Sequence, residues 1–393
     1  MQPSADQRHA VQLDVVHYRD RVQAIAAALA QRDLEGVLLL DAANIMWATG
    51  FFHIPNERPL GLYIPARGDE PTFYVPLLER ENVEESWIPH VRWYLEFPGE
   101  TPAPVWMMEQ IPHDRIGVDH AGHAAFLAMQ RAKPGLVIDN VVAPMRYLKH
   151  EAEVALIRLA SEYADYGQTI ARQAVADELS NGITELDVVE IVQRETTAKM
   201  RRELTDLISF YRGAVALTAH TGARGALPHG QPGPTVIRPG DTLIVGIGVK
   251  VGGYHAESGC TYVVGEPTPD QRRCLEATWA CDEAALQALY PGNSCAAVNE
   301  AAWAALREAG YGDFIRHRIG HGMGVEGHEA PWLSPGDATV LAPTMVFSNE
   351  PGIYRPGLDG YRIIDTMVVT PEGGRRLSRY LSEHGPADRV IEI

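Results

Sequence analysis

The sequence predicts an α+β protein in two parts, a smaller α/β domain over residues 1–148 and a larger α+β domain over 149–393. Three observations point there. Helical and strand-like stretches alternate through the first third. Near residues 145–150 the pattern changes to long helical runs, and two β ribbons with glycine- or proline-rich turns lie in the second part. With 393 residues, 46% of them apolar and 22% charged, the chain can bury a substantial core, which argues against a disordered or coiled-coil protein.

The elements follow in order. Residues 17–32 are alanine-rich, with Val22, Ile25, Ala26 and Leu29 at helical spacing, and lead into the apolar strand 36–40. Further strands are expected at 60–65, 71–75 and 115–118, joined by Gly/Pro-rich connections such as 98–104. Two long helices follow, 151–179 and 184–203, the second opened by Thr184 as N-cap. Thr268-Pro269 places a capping hydroxyl before a proline at the first helical position, and Ser294 opens a helix that stops at Gly310.

Lys+Arg number 34 against 51 Asp+Glu, a formal charge of −17 that repels phosphate backbones and anionic lipid. Nucleic acid and membrane surface are therefore not expected partners. No apolar run approaches bilayer length, and the start MQPSADQRHAVQLD lacks the basic-then-apolar order of a secretory signal, so a cytoplasmic protein is expected. Cys260, Cys274, Cys281 and Cys295 contain no CxxC pair and are expected to be reduced.

Residues 240–265 (GDTLIVGIGVKVGGYHAESGCTYVVG) read as a hairpin turning on Val251-Gly252-Gly253. A turn centred near 251–252 places position 246 opposite 257 on one face. A second ribbon, MVFSNEPGIY and GYRIIDTMVVT, turns near Gly357 and brings Glu350 opposite Ile364. Between them runs IGHGMGVEGHEAPW, whose glycines allow close backbone approach beside His321 and His328.

Taken together, ALPHGQP, GDTLIVGIG, YHAESGCTY, GHGMGVEGHE, SNEPGIY and GYRIIDT resemble, in order and spacing, the signature of the peptidase M24 superfamily of aminopeptidase P, prolidase and creatinase. DAANIMWATGF and ERPLGLYIP are similar to that family's N-terminal domain. The resemblance implies a pita-bread catalytic domain behind a small α/β domain, and a homodimer.

It also exposes departures. The family's metallopeptidases hold two divalent ions with two aspartates on the first ribbon, one histidine, and two glutamates on the second. The matching positions here are Gly246, Glu257, His321, Glu350 and Ile364. Glycine and isoleucine carry no side-chain donor, so no complete dinuclear site is expected. No cofactor is required on this reading; if a single divalent metal binds, Glu257, His321 and Glu350 are its expected ligands. By the resemblance, His229 in ALPHG corresponds to a substrate-contacting or proton-transferring histidine, and a histidine side chain suits a base that takes a proton from water and returns it to a leaving nitrogen.

The expected catalytic set is His229, Glu257, His321 and Glu350, with His328, Arg362 and Arg58 binding substrate. The leading expectation is a metal-independent hydrolase of a C–N bond in a small cationic amidine, guanidino or cyclic imidate-like metabolite, the two leftover carboxylates holding its cationic centre. The alternatives are an Xaa-Pro aminopeptidase or dipeptidase with a single metal, and a non-catalytic pita-bread binding module. Gly246 is expected to leave open space, and Tyr254, Trp332 and Tyr354 to pack near the pocket.

Overall fold

The computed structural model describes residues 13–68, 70–95, 101–204 and 214–393. They form two compact units, Leu13–Arg146 and Tyr147–Ile393. The connection expected at 98–104 lies partly outside the described residues.

In the first unit, Asp14 caps α1 (Val15–Gln31), which buries Ile25 and Leu29. Strands β1 (Gly36–Leu39), β2 (Gly61–Pro65), β3 (Thr72–Pro76), β4 (His90–Tyr94), β5 (Ile116–Val118) and β6 (Val137–Ile138) form a mixed sheet in the order β4-β3-β2-β1-β5-β6. Helices α2 (Ala42–Thr49), α3 (Arg80–Glu84), α4 (Ala103–Gln110) and α5 (His123–Ala132) connect the strands. At the end of β1, buried Asp119 accepts from Leu40 N (2.7 Å) and Asn44 Nδ2 (2.8 Å), satisfying backbone where the chain turns into α2.

The second unit opens with α6 (Glu151–Glu178) and α7 (Glu185–Glu203), both entered through capping boxes, at His150 and Thr184. Ten of its strands are β7 (Val215–Thr221), β8 (Thr242–Val251), β9 (Tyr254–Val264), β10 (Gly320–Gly322), β11 (Glu329–Leu333), β12 (Val346–Asn349), β13 (Gly352–Arg355), β14 (Asp359–Arg362), β15 (Ile364–Thr370) and β16 (Gly373–Arg376). With β17 (Val390–Ile391) they build a nine-stranded sheet in the order β11-β10-β12-β15-β9-β8-β7, β16 pairing with β15 and β17 with β9, while β13 and β14 form a separate ribbon. Helices α8 (Pro269–Ala288) and α9 (Cys295–Glu308), capped by Thr268 and Ser294, pack into a core with Phe347, Tyr361 and Met367. The short α10 (Arg379–Glu383) is held at its start by Asp165 of α6, which accepts from Arg379 N. Gln168 of α6 donates to Ser258 O (2.8 Å), fixing the helix layer to β9.

The second ribbon has the register the sequence predicts: Asn349 faces Asp365 and Gly352 faces Arg362, bracketing Glu350 and Ile364. The first does not. Gly248, not Gly246, lies opposite Glu257, and Gly246 pairs with Gly259. Both Gly252 and Gly253 have positive φ, 55° and 85°, so the loop is a two-residue turn between Val251 and Tyr254, and the pairing slides by two. A two-residue slide keeps Gly246 and Glu257 on one face as diagonal neighbours.

All four cysteines are free and buried. Among the described residues, no helix is long and apolar enough to cross a membrane.

Candidate active site

The central strands β10, β12, β15 and β9 set the site. Glu350 directly follows β12, and its backbone is tied on both sides. Its N–H donates to Ile319 O (2.6 Å), while the preceding Asn349 donates to buried Asp282 (2.6 Å). Behind it Arg376 bridges Asp282 and Asp365, a buried charge cluster that anchors β12, β15 and α8.

His321, midway along β10, faces Ser348 on one side and Trp332 on the other. Its Nδ1 lies 3.0 Å from Gly322 O and its Nε2 2.9 Å from Glu350 Oε1. Both neighbours are acceptors, so the pair as it stands is an imidazolium and a carboxylate; an ion bound at His321 would take the place of one ring proton. Burial opposes the charge on His321, but the hydrogen bond and charge of Glu350 outweigh it and raise its pKa. Burial would likewise raise Glu350; the His321 bond, with the charges of His321 and Arg362, holds it well below the usual carboxylate range.

Glu257 extends from β9 toward β12, where Ser348 Oγ donates to its Oε2 (2.8 Å), and Thr366 Oγ1 accepts from its backbone N–H. Burial, with the nearby negative charge of Glu350, pushes its pKa up to about 7. Two carboxylates on either side of β15, one on β9 and one at the end of β12, are thus driven apart in acidity, one ionised and one poised to exchange a proton at neutral pH.

The rings of His321 and His328 stack at 3.8 Å. Burial and the cationic His321 lower the pKa of His328. His229 is exposed, on the segment after β7, and acts electrostatically on both His328 and His317. Arg362 is buried, donates to Pro228 O (3.0 Å), and contributes to the field at Glu350. Six of the seven expected site residues, His229, Glu257, His321, His328, Glu350 and Arg362, therefore share one neighbourhood of the second unit. Arg58 belongs to the first unit, where it pairs with Glu57.

Gly246 does not leave open space. A Cβ there would stand 2.8 Å from Ile364 Cδ1 and 2.9 Å from Thr218 Oγ1, so Ile364 fills what glycine vacates. Tyr254 is structural, its hydroxyl bonded to buried Glu153.

Four contributors carried no signal in the motifs. His317, which lies in no motif, faces Arg318 O through Nδ1 and the Tyr354 hydroxyl through Nε2 (2.9 Å), and its charge bears on Glu350. Arg318 is exposed, its guanidinium 4.4 Å from the Trp332 ring, and its Nε donates to Gly320 O. Ser348 and Thr366 become visible only through strand pairing. Arg318 meets Trp332 only through the pairing of β10 with β11, and nothing in the sequence marks the other three.

A pair of ions does not fit this donor set. Positions 246 and 364 offer no ligand atom, and the cationic Arg362, whose buried Nε has no hydrogen-bond partner, stands beside Gly246. One ion does fit, though not with the ligands the sequence suggests. Among the described residues, His321, His328 and Glu350 bring three donor atoms within 4.8 Å of one another. Glu257 is outside that group because its carboxylate is turned to Ser348.

Comparison with known proteins agrees with the architecture. Residues 155–371 match the metallopeptidase family M24, and residues 21–148 match the creatinase/prolidase N-terminal domain. The chain belongs to the M24 family, with the pita-bread fold, and is a hydrolase of C–N bonds. It is 31% identical over 368 residues to an Xaa-Pro dipeptidase of Pyrococcus furiosus, covering 92% of this chain and 98% of that protein. It is 28% identical to the putative dipeptidase YkvY of Bacillus subtilis, covering 95% and 99%. Among solved structures, dipeptidase PepE from Mycobacterium ulcerans superposes with a TM-score of 0.84 at 28% identity, over 97% of this chain and 100% of that one. The prolidase from Pyrococcus horikoshii OT3 gives 0.78 at 27%, over 92% and 98%.

Proposed function

We propose that this protein is a dipeptidase of the Xaa-Pro class that works with one divalent ion. The observation that carries this is the convergence of His321, His328 and Glu350 on one point within a chain whose relatives are named dipeptidases over nearly their whole length. This replaces the expected amidine substrate and metal-free chemistry, which find no support among the relatives. A bound ion would polarise the scissile carbonyl and acidify water.

The chain's own residues do the rest. His229 takes a proton from water at its imidazole and returns it to the leaving nitrogen, a transfer its solvent-facing position permits. Glu257 accepts or donates a proton in the neutral range. Arg362 supplies fixed positive charge where the second ion of the family would lie. The exposed Arg318, its guanidinium over the Trp332 ring, offers its terminal nitrogens to the substrate carboxylate. A homodimer acting on a small substrate completes the reading.

Turnover of Xaa-Pro dipeptides in the presence of Mn²⁺, Co²⁺ or Zn²⁺, abolished by EDTA, is the expected result. Chelator-insensitive cleavage of small amidines, with dipeptides untouched, would refute the proposal and restore the metal-free chemistry that the protonated His321–Glu350 pair could perform.

A further inference from the structure

The imidazole of His229 makes no hydrogen bond among the described residues, yet the backbone around it is anchored at nearly every step. His220, buried on β7, lies with Nε2 2.5 Å from Gly230 O. Arg362 holds Pro228 O, and Arg224 Nη2 donates to Gln231 O. Both ends of the segment converge on one group. Glu185, the first residue of α7 and fully buried, accepts from Thr221 N (2.8 Å) through Oε1 and from Gly233 N (2.8 Å) through Oε2, while Arg224 Nε reaches both oxygens at 3.0 Å. The backbone adds Glu185 N to Thr235 O and Leu186 N to Gly233 O.

A buried carboxylate is expensive unless its lone pairs are filled, and here donors from two ends of one segment and from its middle fill them. The helix N-terminus adds favourable charge. Helix capping does not account for this geometry, since Thr184 and Asp187 already close the capping box of α7.

We propose that Glu185 is the positioning residue of His229: its carboxylate clamps the ends of the 221–233 segment and thereby aims the imidazole into the active site. This rests on the proton-transfer role given to His229 above. A glutamine at 185 retains one acceptor and turns an NH₂ toward one of the two backbone donors, so one end of the clamp opens.

The test is a cycle of Glu185→Gln, His229→Ala and the double variant, assayed on an Xaa-Pro dipeptide, with the His229 ring followed by NMR of ¹³C,¹⁵N-histidine-labelled protein. Glu185→Gln is expected to lower kcat about 10- to 100-fold with KM little changed. It should broaden or split the His229 ring resonance, and cost nothing further in the His229→Ala background. An unchanged His229 resonance, or a Glu185→Gln loss that persists at full size without His229, overturns the assignment. If His229→Ala retains wild-type turnover, the role of His229 falls and the assignment with it; if His229→Ala is inactive but Glu185→Gln is normal, only the clamp is refuted. Should Glu185→Gln fail to fold, Arg224→Gln, which removes the bonds to Glu185 and Gln231, carries the same two readouts; normal kcat and an unmoved resonance there also overturn it.

Discussion

Gly246→Ala measures how far the decay of the ion cage has been absorbed by packing. The added methyl would stand 2.8 Å from Ile364 Cδ1 and 2.9 Å from Thr218 Oγ1. Neither neighbour can retreat freely: residue 246 pairs with Thr218 on β7 and Gly259 on β9, and Ile364 pairs with Gly259. Overpacking of this kind costs about 1–3 kcal/mol. Ile364→Val removes Cδ1 and by itself costs about 1 kcal/mol in lost burial. In the alanine background the same change also relieves the clash, so the double variant should be less destabilised than the sum of the singles by about 1 kcal/mol. Relief is partial because Thr218 remains. Urea unfolding of the four proteins, followed by tryptophan fluorescence and circular dichroism, gives the cycle. Additive effects, or a neutral Gly246→Ala, would refute the reasoning that Ile364 occupies the vacated ligand position.

Further outcomes follow from the same geometry. Glu257 has a folded pKa above its ordinary value, so its burial favours the protonated form; its contribution to stability is fully present below about pH 4.5 and is lost as pH rises through about 7. Glu257→Gln should therefore gain thermal stability relative to wild type at pH 8 but not at pH 5, and a gap independent of pH would contradict the assigned acidity. Lys149 pairs with Glu329 at 2.9 Å, both nearly inaccessible, immediately after His328. Lys149→Met leaves an uncompensated buried carboxylate and should destabilise by about 3–5 kcal/mol in urea titration, with Lys149→Met/Glu329→Gln recovering part of the loss. Arg318→Met should raise KM for a free dipeptide about 10-fold or more while leaving the dipeptide amide unaffected, by loss of one charge-assisted contact; equal effects on acid and amide would remove Arg318 from substrate recognition.

Much of this was legible in the residues because the signals are local. Thr184, Thr268 and Ser294 cap the helices they mark, since a hydroxyl before an apolar run satisfies orphan N–H groups wherever it occurs. The second ribbon is symmetric about Gly357, so its register follows from the turn. The first ribbon misleads by one turn residue, because Val251-Gly252-Gly253 does not reveal which two residues take positive φ. Edge strands β4 and β6 are short and largely exposed, so neither carries the buried apolar run that marks β1 to β3. The ligand group depends on side-chain direction across four strands: Glu257 turns to Ser348 and His328 comes under His321, relations that no linear spacing encodes. Arg318 and Glu185 act through a neighbouring ring and a distant segment, and are visible only once β10 meets β11 and α7 meets the end of β7.

The number of divalent ions per chain, counted by native mass spectrometry after loading with Mn²⁺, Co²⁺ or Zn²⁺, tests the central claim most directly. The wild-type protein should hold one ion, lost in His321→Ala and in Glu350→Gln, whereas Gly246→Asp/Ile364→Glu should hold two. Two ions bound to the wild-type chain would contradict the account.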